Sequence, residues 1–101
     1  MAKRLEPITP GDILREEFMA AYGLSQNKLA LALHVPVSIN RVVHNKYRIS
    51  ADLALRLAAH FGTSPQFWMN LQTSYDLRVA ERQSGAKVKK EIQPIQQEQV
   101  A

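Results

Sequence analysis

The chain contains no cysteine. That removes a disulfide framework, thiolate metal ligands and a cysteine nucleophile from consideration, and it fits a reducing compartment. No run approaches the roughly 18 consecutive apolar residues that a membrane-spanning helix requires. The first ten residues, MAKRLEPITP, lack the apolar centre of a secretory signal. A cytoplasmic protein without a membrane partner is therefore expected. The four glycines form neither a phosphate-cradling loop nor a nucleophile elbow, and the acidic residues are scattered. His34, His44 and His60 include no pair at helical ligand spacing. No catalytic site, metal or cofactor is expected. Alternating strand patterns, Asn-Gly hairpin signals and internal repeats are all missing, which leaves an all-α fold.

What remains is one domain's worth of globular sequence, 101 residues of which 46% are hydrophobic. The net charge is +4, and its placement is more telling than its size. Residues 1–24 sum to −1, and residues 57–84 sum to zero. Residues 25–56 carry Lys28, Arg41, Lys46, Arg48 and Arg56 against Asp52 alone. Such a local excess is the electrostatic footprint of a phosphate-binding surface, although a merely solvated basic face has the same composition.

Helical signals run through the chain. Pro10-Gly11-Asp12 opens a first helix, with Asp12 as a possible cap and Gly23 at its left-handed end. Ser25 caps a second helix with Leu29, Ala30 and Leu33 inward, and His34-Val35-Pro36 breaks it. A third helix spans about 37–44, with Ile39, Val42 and Val43 as its apolar positions. Residues 45–48 read as a basic loop. Ser50 caps a fourth helix carrying Leu53, Leu57 and Phe61, closed by Gly62. Ser64-Pro65 starts a fifth, which carries Phe67, Trp68, Leu71, Tyr75 and Leu77 and ends near Ser84. The expected organisation is an N-terminal arm over 1–9, a helical domain over 10–84 and a flexible polar tail over 85–101. Two short helices joined by a tight turn, then a basic loop, have the layout of a helix-turn-helix whose second helix enters a DNA major groove.

The segments PGDILREEF (10–18), GLSQNKLA (23–30), INRVV (39–43), ISADLALRLA (49–58) and FGTSPQFWMNLQTSYDL (61–77) resemble the HigA family of antitoxins. That family is a branch of the Cro/repressor-like helix-turn-helix superfamily, and the resemblance covers roughly 5–82. It implies a five-helix DNA-binding domain, usually dimeric, that represses its own operon at a palindromic double-stranded DNA operator. It also implies a neighbouring RNA-cleaving toxin of the HigB type, which the protein neutralises. Two departures stand out. His34 occupies a turn position where the family usually has glycine, and the interval from Gln26 to Ile39 is one residue shorter than the family's. These departures keep open an interaction module that has lost DNA binding, and a stand-alone repressor without a toxin stays open because the DNA-binding half has the same sequence in either case.

The candidate DNA contacts follow from position and chemistry. The resemblance places Gln26 near a phosphate or base edge, and Asn27 and Lys28 share its first helical turn, where free amides suit a phosphate oxygen. Val37 and Ser38 open the third helix, within reach of a thymine methyl or a phosphate. Asn40, Arg41 and His44 project between the apolar positions. Arginine can bind guanine and asparagine adenine through two hydrogen bonds each. Lys46, Tyr47 and Arg48 follow, where side chains of a recognition loop clamp the sugar-phosphate backbone. Phe67, Trp68, Leu71 and Tyr75 form an aromatic-rich stripe that serves as core, or in part as a contact across a two-fold axis.

Overall fold

The fold comes from a computed structural model, which describes residues 7–95. Five helices follow one another, and no strand occurs among the described residues. Helix α1 spans residues 10–22. Pro10–Ile13 and Ala20–Tyr22 are α-helical, and Leu14–Met19 between them winds as a wider π-helix. The other helices are α2 at Gln26–Leu33, α3 at Pro36–Val43, α4 at Ala51–Phe61 and α5 at Pro65–Glu91. The all-α class and the helix count are those the sequence implied.

The helix starts are set by hydroxyl caps. Ser25, Ser50 and Ser64 accept hydrogen bonds from the amides of Lys28, Leu53 and Phe67 at 3.1, 3.2 and 3.1 Å, each satisfying a donor that the helix itself cannot. α1 corrects the sequence reading. Thr9, not Asp12, is its cap and accepts from the Asp12 amide at 3.0 Å. Pro10 then takes the first helical position, where its missing N–H costs nothing.

The ends of α1 to α4 share one device. Gly23, His34, Asn45 and Gly62 all adopt the left-handed conformation, with φ of 62°, 62°, 61° and 75°. The amide that follows each one reaches back to close the helix: Leu24 to Met19 O, Val35 to Ala30 O, Lys46 to Arg41 O and Thr63 to Ala58 O, at 2.9, 3.1, 2.8 and 3.2 Å. This closure satisfies a carbonyl that would otherwise be orphaned at each end. Only two of the four residues are glycine.

The core is built from one face of every helix. Leu14, Leu29, Ile39, Val42, Leu57 and Trp68 are almost wholly buried, and each such side chain stabilises the fold by about 1.5–3 kcal/mol. Phe18 of α1 holds the aromatic end together, with its ring 4.8 Å from Trp68, 5.1 Å from Phe61 and 5.9 Å from Phe67. The Trp68 indole nitrogen donates to the Thr63 hydroxyl at 2.8 Å. Trp68 therefore belongs to the protomer's own core and has no surface to offer a second copy. Phe67 and Leu71 pack half-buried against that core, Tyr75 is half-buried further along, and Leu77 is exposed.

α5 is longer than the sequence suggested. It passes through Gly85 and ends at Glu91, so residues 85–91 are helical rather than the start of a tail. Residues 96–101 of the expected tail, and 1–6 of the expected arm, lie outside the described residues.

Candidate nucleic-acid interface

The turn between α2 and α3 is only His34 and Val35. His34 takes the left-handed conformation (φ 62°, ψ 36°) that the family assigns to glycine. Its side chain is exposed, so nothing crowds it there. Pro36 then opens α3 at once, where its fixed φ suits a first helical turn. The sequence had placed that start one residue later. The shortened turn is thus absorbed before α3 begins. Ile39, Val42 and Val43 keep their inward positions, each at most 2% exposed.

With those three facing the core, Asn40, Arg41 and His44 are exposed on the outer side of α3. Gln26, half-buried at the start of α2, joins two of them. Its Oε1 accepts from Asn40 Nδ2 at 3.0 Å, and its Nε2 lies 3.4 Å from His44 Nε2. Three residues that the sequence singled out separately therefore form one chain across the helix-turn-helix. Asn27 and Lys28 are exposed in the same first turn of α2. Val37 and Ser38 have their backbone in the first turn of α3, and their side chains lie outside the described part of the structure.

The far end of α3 is anchored on α1. Arg15 donates from Nη1 to the Val43 carbonyl at 2.8 Å and from Nη2 to Asp12 Oδ1 at 2.7 Å. Asn45 donates to the same Asp12 oxygen at 3.3 Å and accepts from the Thr9 hydroxyl at 2.7 Å. Hydrogen bonding to Asp12, reinforced by Glu16 and opposed by desolvation, raises the Arg15 guanidinium above its ordinary pKa. Gly11 lies flush against this junction. A Cβ there would collide with Val42 O and Asn45 Oδ1. Arg56 does a similar service for α2, donating to the Leu33 carbonyl at 2.9 Å.

The loop after α3 divides its residues. Lys46 and Tyr47 are exposed. Arg48 pairs with Asp76 of α5 at 2.7 Å. Gln72, buried beside it, accepts from the Ile49 amide at 2.7 Å and donates to Asp76 at 3.1 Å. Tyr75 lines a shallow groove between this loop and α5, together with Thr9, Lys46, Tyr47, Arg48 and Asp76. Tethering the loop to α5 orients it. It also means that Arg48 is less available to phosphate than its position in the sequence implied.

The electrostatics follow. Of the five cations in residues 25–56, Arg48 is paired with Asp76 and Arg56 with Asp52. Among the described residues, Lys28, Arg41 and Lys46 make no ion pair and are exposed. They sit at the start of α2, on α3 and in the loop behind it, flanking the polar chain of Gln26, Asn40 and His44. Exposed cations around hydrogen-bonding side chains on an exposed helix face suit phosphate attachment combined with base-edge reading. The sequence did not bring out Arg15, Gln72 or Asp76, and it counted Arg56 only as part of the basic excess. Arg15 holds the end of α3, Arg56 the end of α2, and Gln72 and Asp76 the loop after α3, each through a contact between distant positions.

Comparison with known proteins agrees with this geometry. The helix-turn-helix family profile matches residues 14–68. Virulence-associated protein I of Dichelobacter nodosus is 53% identical over 76 residues, which span 74% of this chain and 70% of that protein. The solved structure of the Pseudomonas aeruginosa antitoxin HigA with the higBA promoter superposes with a TM-score of 0.86 at 44% identity, covering 90% of this chain and all of that one. The antitoxin GraA in complex with its operator gives a TM-score of 0.84 at 42% identity, covering 95% and 98%. The chain belongs to the helix-turn-helix family, in its HigA antitoxin branch, a family of DNA-binding regulators and not of enzymes.

Proposed function

We propose that this protein is the antitoxin of a toxin–antitoxin module. It binds operator DNA as a homodimer, places α3 of each protomer in successive major grooves, represses its own operon, and neutralises an RNA-cleaving toxin of the HigB type. The observation that carries this reading is the likeness, at 44% identity, to an antitoxin solved with promoter DNA, joined to an exposed helix face flanked by three unpaired cations. A two-fold dimer would recognise a palindrome with half-sites about 34 Å apart. Phe67, Leu71 and Tyr75 remain the aromatic and aliphatic candidates for the dimer contact. Val37, Ser38, Asn40 and Arg41 are the candidate base-edge readers, with Asn27, Lys28, Lys46 and Tyr47 on the backbone. No helix among the described residues is long and apolar enough to cross a membrane, and a protein that acts on operator DNA would work in the cytoplasm.

The test is growth. The small reading frame beside this gene is induced alone and then together with this chain. Arrest by the neighbour, relieved by co-expression, is the expected result. Normal growth in both cases would leave a stand-alone repressor. Failure to bind any promoter fragment would leave an interaction module.

A further inference from the structure

We propose that Gln26 and His44 are positioning residues that fix the amide of Asn40 in one orientation, and so determine which base that asparagine accepts. This deepens the proposed function and rests on its assignment of α3 as the reading helix. The three side chains form a polar chain with a direction. The Gln26 amide nitrogen can only donate, so His44 Nε2 accepts at the 3.4 Å contact and the ring proton resides on Nδ1. That leaves Gln26 Oε1 to face Asn40, where it accepts from Nδ2 at 3.0 Å. Asn40 is thereby presented with its amide nitrogen towards α2. It keeps a second N–H and its Oδ1 for the groove, the donor–acceptor pair that matches adenine N7 and N6.

Without the chain, the Asn40 amide is free to turn over. The turned amide sets donor against donor at adenine, so recognition weakens at that base pair and nowhere else. Gln26, half-buried and engaged by α3 on both amide atoms, acts through Asn40 rather than as an independent phosphate contact. His44, at the end of α3, sets the direction from the far side of the glutamine.

The test uses the full-length protein and its own promoter duplex, with each base pair of the half-site replaced in turn and affinity read by fluorescence anisotropy at fixed salt. Asn40→Ala is expected to lose about 5- to 150-fold discrimination at one base pair. Gln26→Leu and His44→Phe should lose discrimination at that same pair, by a larger factor than they weaken binding to non-specific duplex. In the Asn40→Ala background, Gln26→Leu should have no further effect. His44→Gln, which restores an acceptor, should recover part of the loss. In the free protein, Gln26→Leu should also shift the Asn40 side-chain amide resonances, a readout that needs no DNA.

If Asn40→Ala is selective while Gln26→Leu weakens every duplex equally and additively, Gln26 is a phosphate contact and this inference falls alone. If Asn40→Ala itself weakens all duplexes alike, the assignment of α3 as the reader falls, and the inference falls with it.

Discussion

The guanidinium of Arg15 and the carbonyl of Val43, 28 positions apart, meet at 2.8 Å. This contact closes the last turn of α3 from outside, with a cation at the negative end of the helix dipole. Replacing Arg15 with Ala should cost about 1–3 kcal/mol, because the Val43 carbonyl loses its side-chain donor and the buried Asp12 loses its shortest one. Urea unfolding checks the magnitude. An unchanged midpoint would show that solvent replaces the guanidinium without loss.

A second prediction concerns the neighbouring close approach. Gly11→Ala adds a methyl that meets Val42 O and Asn45 Oδ1, and the first of these is backbone. Overpacking of this kind costs about 1–3 kcal/mol, which in a domain of this size lowers the melting temperature by roughly 4–8 °C per kcal/mol. Nothing stands within 4 Å of the equivalent position at Gly23. Gly23→Ala should therefore cost only the left-handed strain, about 1–2 kcal/mol. Differential scanning calorimetry of the two variants separates steric collision from conformational strain.

His34 offers the opposite sign. Its left-handed backbone is strained for any residue with a Cβ, and its exposed side chain contributes little packing. His34→Gly should raise stability by up to about 1 kcal/mol, with the gain reduced by the extra freedom of glycine in the unfolded chain. A lower melting temperature for this variant would mean that the imidazole makes a stabilising contact.

The pairing of cations predicts a specific salt response. Three exposed unpaired cations per protomer, six per dimer, correspond to a slope of log affinity against log salt near −5, at about −0.9 per phosphate. Lys46→Ala should flatten that slope by about 1 per protomer. Arg48→Ala should change it less, because Asp76 already engages Arg48. Asp76→Asn should steepen it by releasing that arginine. Equal effects of Lys46→Ala and Arg48→Ala would show that DNA displaces the carboxylate.

Much of this arrangement could be read from the chain, for local reasons. Ser25, Ser50 and Ser64 precede amides that need an acceptor, and Ile39, Val42 and Val43 recur at the period of a buried helix face, so the helix-turn-helix announces itself. Thr9 and Asp12 are both good caps, and the decisive signal was Pro10, which favours the residue before it. The polar composition of residues 85–101 put the end of the fifth helix near Ser84, just before Gly85. Its φ is not positive, and a glycine inside a helix costs only about 0.5–1 kcal/mol relative to alanine, so α5 continues through it. The remaining misses are non-local. No local pattern marks that Asp76 removes Arg48 from the free charge, or that Trp68 is enclosed by Phe18 and Phe61. The link from Gln26 to Asn40 lies between these extremes: both were chosen individually, and only the fold shows them bonded.

The enclosed indole also provides a ready experimental signal. Trp68 is the single tryptophan of the chain, and it packs against Phe18, Phe61 and Phe67, none of which belongs to α3. Its emission should therefore report the opening of the hydrophobic interior and stay silent when α3 meets DNA. One cuvette can then follow folding through intrinsic fluorescence and operator binding through a labelled duplex, without either trace contaminating the other.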